Sequence, residues 1–449
     1  MKKIKVIDNI SGLQSFQLLK FLIFFIISVA LAKCKYTPAE IGQWEMFLFI
    51  ASFLSFSWVT GIIQSLLPLY HRNRSFRKLG DNGMEKSPEI FNAFLLLTYF
   101  SLIVFLLGHI SKNHFSVFSN SGNVPYLNLL FLYILLSSPV CLIEYIYLLN
   151  NRSYRILQYG LYTFTAQLII ILIPIILHKD IIYSVYGLLI ISGVRWVWLV
   201  VLLRRYAKWE ISPEFLREHL HLATPLIITT LVGGSAQYID GVIVTTVYRD
   251  PSMFAMFRYG AKEFPLATML TAGLSSAMLP EFSTRDKMKD AMDKIKNKSK
   301  NLMHILFPVT MLTMFFTRWI YPRLFAPEFH VSAGVFMVYL LLIIPRVVFP
   351  HTILIGRKRT KVTMVAALIE LVINIPLSLL MIRWGYGIVG VAVATLIVYI
   401  ISRIILVVYL WMAMNIKPKE YIPVRVFLIY SALITLLFVL IDHRIIDFH

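Results

Sequence analysis

The sequence predicts an all-α membrane protein of about 12–14 transmembrane helices, thirteen by direct count, and three observations carry that prediction. The chain of 449 residues is 58% hydrophobic and 15% charged, against roughly 25% charge in soluble domains. Apolar runs long enough to cross a bilayer, about 17–25 residues, recur along its whole length. An internal repeat then groups twelve of these runs into two six-helix bundles.

The runs fall at 12–33, 44–69, 90–108, 125–149, 159–178, 181–203, 222–247, 253–281, 302–321, 331–355, 362–382, 388–412 and 424–441. The first follows Lys2, Lys3 and Lys5 and ends near Ala30-Leu31-Ala32, a layout shared with cleavable export signals. It is read as a retained helix because the repeat uses it. The fifth and sixth are separated only by HKDI at 178–181, which forces a tight hairpin. The formal net charge is +20, from 43 Lys and Arg against 23 Asp and Glu. In a soluble protein that excess would suit nucleic acid, but here it sorts by side. With the N-terminus cytoplasmic, 27 Lys and Arg lie in cytoplasmic segments and 11 on the opposite side, the bias that orients membrane proteins. The most basic loop, 283–301, has no interleaved aromatics and is read as a solvated inside loop, so no nucleic-acid partner is expected.

TGIIQSLLPLY at 60–70 and AGLSSAMLPEF at 272–282 match Gly for Gly, Leu-Pro for Leu-Pro and Tyr for Phe at an offset of 212. A second pair, Ile-Pro at 173–174 with Tyr-Gly at 186–187, returns about 200 residues on at 375–376 and 386–387. Two copies of a six-span unit have the same orientation, so a pseudo-twofold axis along the membrane normal relates them. The resulting division is 1–215, 216–413 and an extra helix and tail at 414–449.

No loop is long enough for a soluble domain, and no phosphate loop, HExxH or Ser/His/Asp arrangement is present. The architecture points to transport and not to an enzyme. Cys34 and Cys141 have neither framework nor metal spacing, and His109, His114, His219, His221, His304 and His351 lie at helix ends or in loops, where they read as interfacial. No metal or cofactor is expected.

A charge in hydrocarbon costs about 2.5–3.5 kcal/mol on insertion scales, so it should face a cavity or a partner. The candidates are Lys20, Glu144, Arg195, Asp240, Arg258, Lys262, Glu263, Arg346, Glu370 and Arg403. Lys20 is either embedded or reaches back to the surface along its alkyl stem. Arg195, Arg346 and Arg403 suit structural roles, paired with Glu144 or Glu370 or bonded to carbonyls freed by Pro345 and Pro350. Asp240 follows Gly233, Gly234, Ser235, Gln237 and Tyr238, a stripe that lines a cavity or forms a packing seam of small residues. In FRYGAKEFP (257–265), the offset of 212 places Arg258, Lys262 and Glu263 on Met46, Ile50 and Ala51, inside an apolar run. A helix built like that run carries Arg258 and Lys262 on one face, a pair of cations suited to pyrophosphate.

MVAALIELVINIPLSLLMIRWGYGIVGVAVATLIVYIISRIILVVYLWM (364–412), with its Asn-Ile helix, Pro-x-Ser, Gly-bearing turn and GIVGVAVAT, resembles the C-terminal part of the polysaccharide exporter and oligosaccharide flippase family, O-antigen flippase type. DGVIVTTVYRDPSMFAMFRYGAKEFPLATMLTAGLSSAMLPEFS (240–283) is similar to helices 7 and 8 of the same superfamily, which includes the lipid II flippases and the multidrug and toxin extruders. The resemblance implies a bacterial inner-membrane flippase with a central cationic cavity that moves undecaprenyl-pyrophosphate-linked repeat units for O-antigen or capsule by alternating access. Its partners would be that lipid-linked oligosaccharide, membrane lipids, and polymerase and chain-length proteins. Lys20, Asp240, Arg258 and Lys262 correspond to its cavity positions, and Gln237 and Tyr238 could contact sugars. The lipid II branch has an Arg a few residues before Glu-Phe-Pro; here Gly260 stands at about that position and Arg258 is two residues away. The competing readings are a cation-coupled multidrug extruder of the same superfamily, which would want an anionic cavity, and a membrane glycan polymerase, which would want a large outside loop.

Overall fold

The computed structural model describes residues 9–76, 86–113, 124–283, 288–357 and 359–443. Of the residues singled out above, Lys2, Lys3, Lys5, His114 and the Gln237 side chain lie outside the described ones, as do 284–287 of the basic loop. Among the described residues every element is helical apart from one isolated bridge between Ser87 and Ala207. Among the described residues ten stretches are long and apolar enough to span a membrane, or eleven when Pro213–Ser235 and Tyr238–Tyr248 are taken as one. In a chain this apolar these make a multi-pass membrane protein.

The chain divides into two compact units, Met1–Gly234 with Arg249–Ser252, and Ser235–Tyr248 with Met253–His449. The first holds α1 (Asn9–Lys33), α2 (Pro38–Phe76), α3 (Pro88–Ile110), α4 (Leu127–Val140), α5 (Leu142–Leu149), α6 (Ser153–Ile176), α7 (Ile182–Tyr206) and the first part of α8 (Pro213–Tyr248). Pro38, Pro88 and Pro213 open their helices, where the missing N–H costs nothing. α6 and α7 form the tight hairpin that HKDI requires: His178 takes a left-handed φ of 50°, and Asp180 accepts a hydrogen bond from Ile182 N at 2.9 Å.

The unit boundary at Gly234 lies beyond the 215/216 division because the start of α8 packs into the first unit. A Cβ on Gly61 of α2 would come within 2.9 Å of Ile227 N on α8, so the two backbones approach as only glycine allows. His219 is fully buried on the same contact and bonds the Ile62 carbonyl at 2.9 Å. The interfacial reading of this histidine is therefore corrected: it is buried inside the unit, with its Nε2 bonded to a carbonyl on a neighbouring helix.

The second unit holds the rest of α8, most of α9 (Pro251–Gly260), then α10 (Pro265–Met278), α11 (Met288–Leu324), α12 (His330–Leu340), α13 (Ile343–Arg346), α14 (Pro350–Gly356), α15 (Thr360–Met381), α16 (Gly387–Met414), α17 (Pro418–Tyr421) and α18 (Val424–Asp442). The expected helix over 253–281 is two helices, and the run over 331–355 is three, interrupted near Pro345 and Pro350. The runs over 362–382 and 388–412 form the continuous stretch Thr360–Met414, in which α15 and α16 are separate helices packed on each other. They turn at Gly385 (φ 87°) and Gly387 (φ 58°, ψ −144°), where a side chain would be strained.

Candidate functional site

Two polar clusters of the second unit hold Asp240, Arg346, Glu370 and Arg403. The first is Asp240, on the last three turns of α8 and 3% exposed. Its carboxylate accepts hydrogen bonds from Tyr339 Oη at 2.9 Å, Asn374 Nδ2 at 3.1 Å and Thr395 Oγ1 at 2.6 Å. Asn374 Nδ2 also donates to Thr395 Oγ1 at 3.1 Å, and Ser378, one turn along α15, donates to Asn374 Oδ1 at 2.7 Å. Three neutral donors satisfy a charge that would otherwise be prohibitive in an apolar interior. Carboxylate, amide and hydroxyl oxygens are the ligands hard cations select; in this arrangement they bond one another. Asp240 thus knits α8, α12, α15 and α16 together.

The second centre is built on Tyr399 of α16. The Arg403 guanidinium donates to Tyr399 Oη at 2.6 Å and lies 4.7 Å from its ring centroid, and Arg346 lies 5.7 Å from the same ring. Arg346 is paired with Glu263, whose side chain is 41% exposed while that of Arg346 is 18% exposed. Glu370 takes a hydrogen bond from Ser402 and lies within electrostatic range of Arg403 and Arg346. The sequence expectation that Glu370 or freed carbonyls would hold Arg346 is corrected here. Glu263 holds it, because the break between α9 and α10 releases that residue from a helix.

That break runs over Ala261–Phe264, so Arg258 ends α9 while Lys262 and Glu263 stand in the connection. Arg258 and Lys262 do not share a helical face. Pro265 is the cause: it opens α10 and disfavours a helical residue ahead of it. Lys262 Nζ sits 4.6 Å from the Tyr259 ring centroid and 5.7 Å from that of Phe325, a cation–π seat on a buried aromatic cluster. Arg258 lies within electrostatic range of the Tyr238 and Tyr339 phenols.

In the first unit, Arg195 donates to Gln167 Oε1 at 2.8 Å and lies 5.0 Å from the Phe164 ring centroid. Glu144 is 9% exposed, and both Lys20 and Arg195 act electrostatically on it. Lys20 itself is exposed.

A guanidinium held by a half-exposed carboxylate can trade it for phosphate oxygens, which match the planar fork equally well. Sequence reasoning missed Tyr339, Thr395, Tyr399 and Ser402. The spacing of Asn374 and Ser378, four apart within the quoted Asn-Ile-Pro-x-Ser segment, was the one available signal for that face.

A family model described as "Lipid II flippase MurJ" matches residues 60–446. Among solved structures, the fold is similar to "Lipid II flippase MurJ, inward closed conformation", with a TM-score of 0.69 and 20% identity over 97% of this chain and 93% of that one. It is also similar to an inward-facing multidrug resistance MATE family transporter of the MOP superfamily, with a TM-score of 0.59 and 13% identity over 87% and 93%. A third is a mutant of the MATE transporter VcmN of Vibrio cholerae, with a TM-score of 0.51 and 12% identity over 90% and 98%. No curated protein sequence matches the chain.

Proposed function

The chain belongs to the lipid II flippase MurJ family, and on that premise we propose that it carries an undecaprenyl-pyrophosphate-linked glycan precursor across the bacterial inner membrane by alternating access. The observation that carries the reading is the cationic cluster of the second unit, Arg346 and Arg403 about one Tyr399 ring with Glu263 as an exchangeable counter-ion. A pyrophosphate head entering hydrocarbon would lose its hydrogen bonds, and guanidinium groups replace them with charge-assisted ones. Arg258 and Lys262 extend the positive surface of that unit. Asp240 keeps its helices in register while the cations work. The charge bias of the loops supports a cytoplasmic N-terminus.

Lipid II is the first reading of the cargo, from the family. An O-antigen or capsule repeat unit is the second, favoured by Gly260 standing where the lipid II branch has Arg and by the resemblance of 364–412. A drug extruder fits less well, because a cationic drug would meet guanidinium groups. Depleting the protein in its host separates these readings. Lipid II accumulating on the cytoplasmic leaflet supports the first, and accumulating lipid-linked repeat units with normal lipid II supports the second. Neither accumulating, with altered drug tolerance, overturns both. The double variant Arg258→Ala, Lys262→Ala is expected to stop translocation while the protein stays in the membrane; normal export would remove these two residues from the site.

A further inference from the structure

Away from the charged cluster, the first unit carries a cavity of about 520 Å³ where α3 ends and α4 and α7 begin. Lys112, Asn113, Tyr126, Asn128, Ile182 and Tyr186 line it. Tyr126 is held in a left-handed conformation, φ 60° and ψ 24°, which an aromatic residue adopts only when its surroundings impose it. Its hydroxyl donates to Gln43 Oε1 at 3.3 Å and is also hydrogen bonded to Asp180, so the ring is fixed as a wall. Burial, then the charge of Asp180, push its phenol up to about 12; it stays protonated and serves only as a hydrogen-bonding group. Tyr186 is braced edge-on by Tyr183, with ring centroids 6.3 Å apart.

We propose that this cavity binds a short saccharide, with an acidic sugar preferred. The volume falls in the range of small-ligand sites. Two tyrosine rings offer flat apolar surfaces for the C–H faces of pyranoses. Two carboxamides supply both donors and acceptors for hydroxyls, and Lys112 supplies three donors and a positive charge. Other occupants fit worse: an alkyl chain would strand those polar groups, and a metal ion would find no carboxylate among the described lining residues. The inference rests on the reading that the cargo carries a glycan, and it adds a place where the sugar portion is recognised apart from the pyrophosphate.

The test uses the full chain in phosphatidylcholine nanodiscs and saturation-transfer NMR, with di-N-acetylchitobiose and digalacturonic acid as probes. Both sugars are expected to receive saturation, digalacturonic acid binding about threefold tighter, the size of one exposed ion pair. Tyr186, which is 41% exposed, can be truncated without loss of the fold, and Tyr186→Ala should weaken both sugars about tenfold. Asn128→Ala provides an independent variant with the same direction, and Lys112→Ala should remove the preference for the acidic probe. No transfer to either sugar from the wild-type protein, or unchanged transfer in both Tyr186→Ala and Asn128→Ala, would overturn the site. Failure here with lipid-linked precursor still accumulating on depletion removes this site alone. Sugar binding without any such accumulation removes the transport reading instead.

Discussion

The two copies of the repeat are alike at 60–70 and 272–282 and unlike just ahead of those segments. In the first copy α2 runs unbroken for 39 residues, and Met46, Ile50 and Ala51 are buried at 1%, 1% and 3% exposure. In the second, the matching positions are Arg258, Lys262 and Glu263, and the helix is broken beneath the last two. The residue that makes the difference is Pro265, which matches Phe53 at the offset of 212. A proline lacks the donor and excludes the preceding residue from helical geometry, so the second copy opens where the first closes. The same offset sets Asp240, with its three donors, against Ser28, whose hydroxyl turns back to Phe24 O at 3.0 Å within its own helix. At the positions matched by this offset, α2 packs apolar side chains where the second unit ends a helix beside charges.

That contrast can be broken by substitution, and thermal unfolding of the purified protein reads the result. Phe53→Pro, which imports the break into α2, should cost the most, about 4 kcal/mol, from a lost hydrogen bond, a ring clash and a vacated aromatic site. Asp240→Ala should cost about 3 kcal/mol, because Tyr339, Asn374 and Thr395 lose their shared acceptor in a buried site. A melting temperature equal to wild type would mean that those donors find other partners. Gly61→Ala should cost about 2 kcal/mol, since the new methyl meets the Ile227 backbone. Glu263→Gln should cost only about 1 kcal/mol, the value of a partly exposed pair. Gly273→Ala, at the matched glycine of the second copy, has nothing within 4 Å of the new methyl and should gain up to about 1 kcal/mol from helix propensity. Equal costs at Gly61 and Gly273 would erase the asymmetry between the copies.

The helical class and nearly every spanning segment were legible because a bilayer demands long apolar runs, and length and composition are visible residue by residue. The candidate charges were legible for the same reason, standing out against hydrocarbon. Their partners were not. Glu263 was placed on a helix by analogy with α2, and its salt bridge to Arg346 spans 83 residues of sequence. Tyr339, Asn374 and Thr395 lie 99, 134 and 155 residues from the Asp240 they serve, and no local period connects residues on four different helices. His219 looked like an interfacial residue because its acceptor, the Ile62 carbonyl, lies 157 residues away.

By itself, then, the sequence determined that this chain lives in a membrane and crosses it many times as helices. These follow from the energetics of single segments in lipid, where each run stands or falls alone. Only the tertiary structure decided which carboxylate faces which guanidinium, that Asp240 is enclosed by three donors, and that FRYGAKEFP is a helix end and a connection. Those outcomes depend on side chains meeting across helices, and such pairings are set by packing geometry, which leaves no trace in the spacing along one strand of sequence.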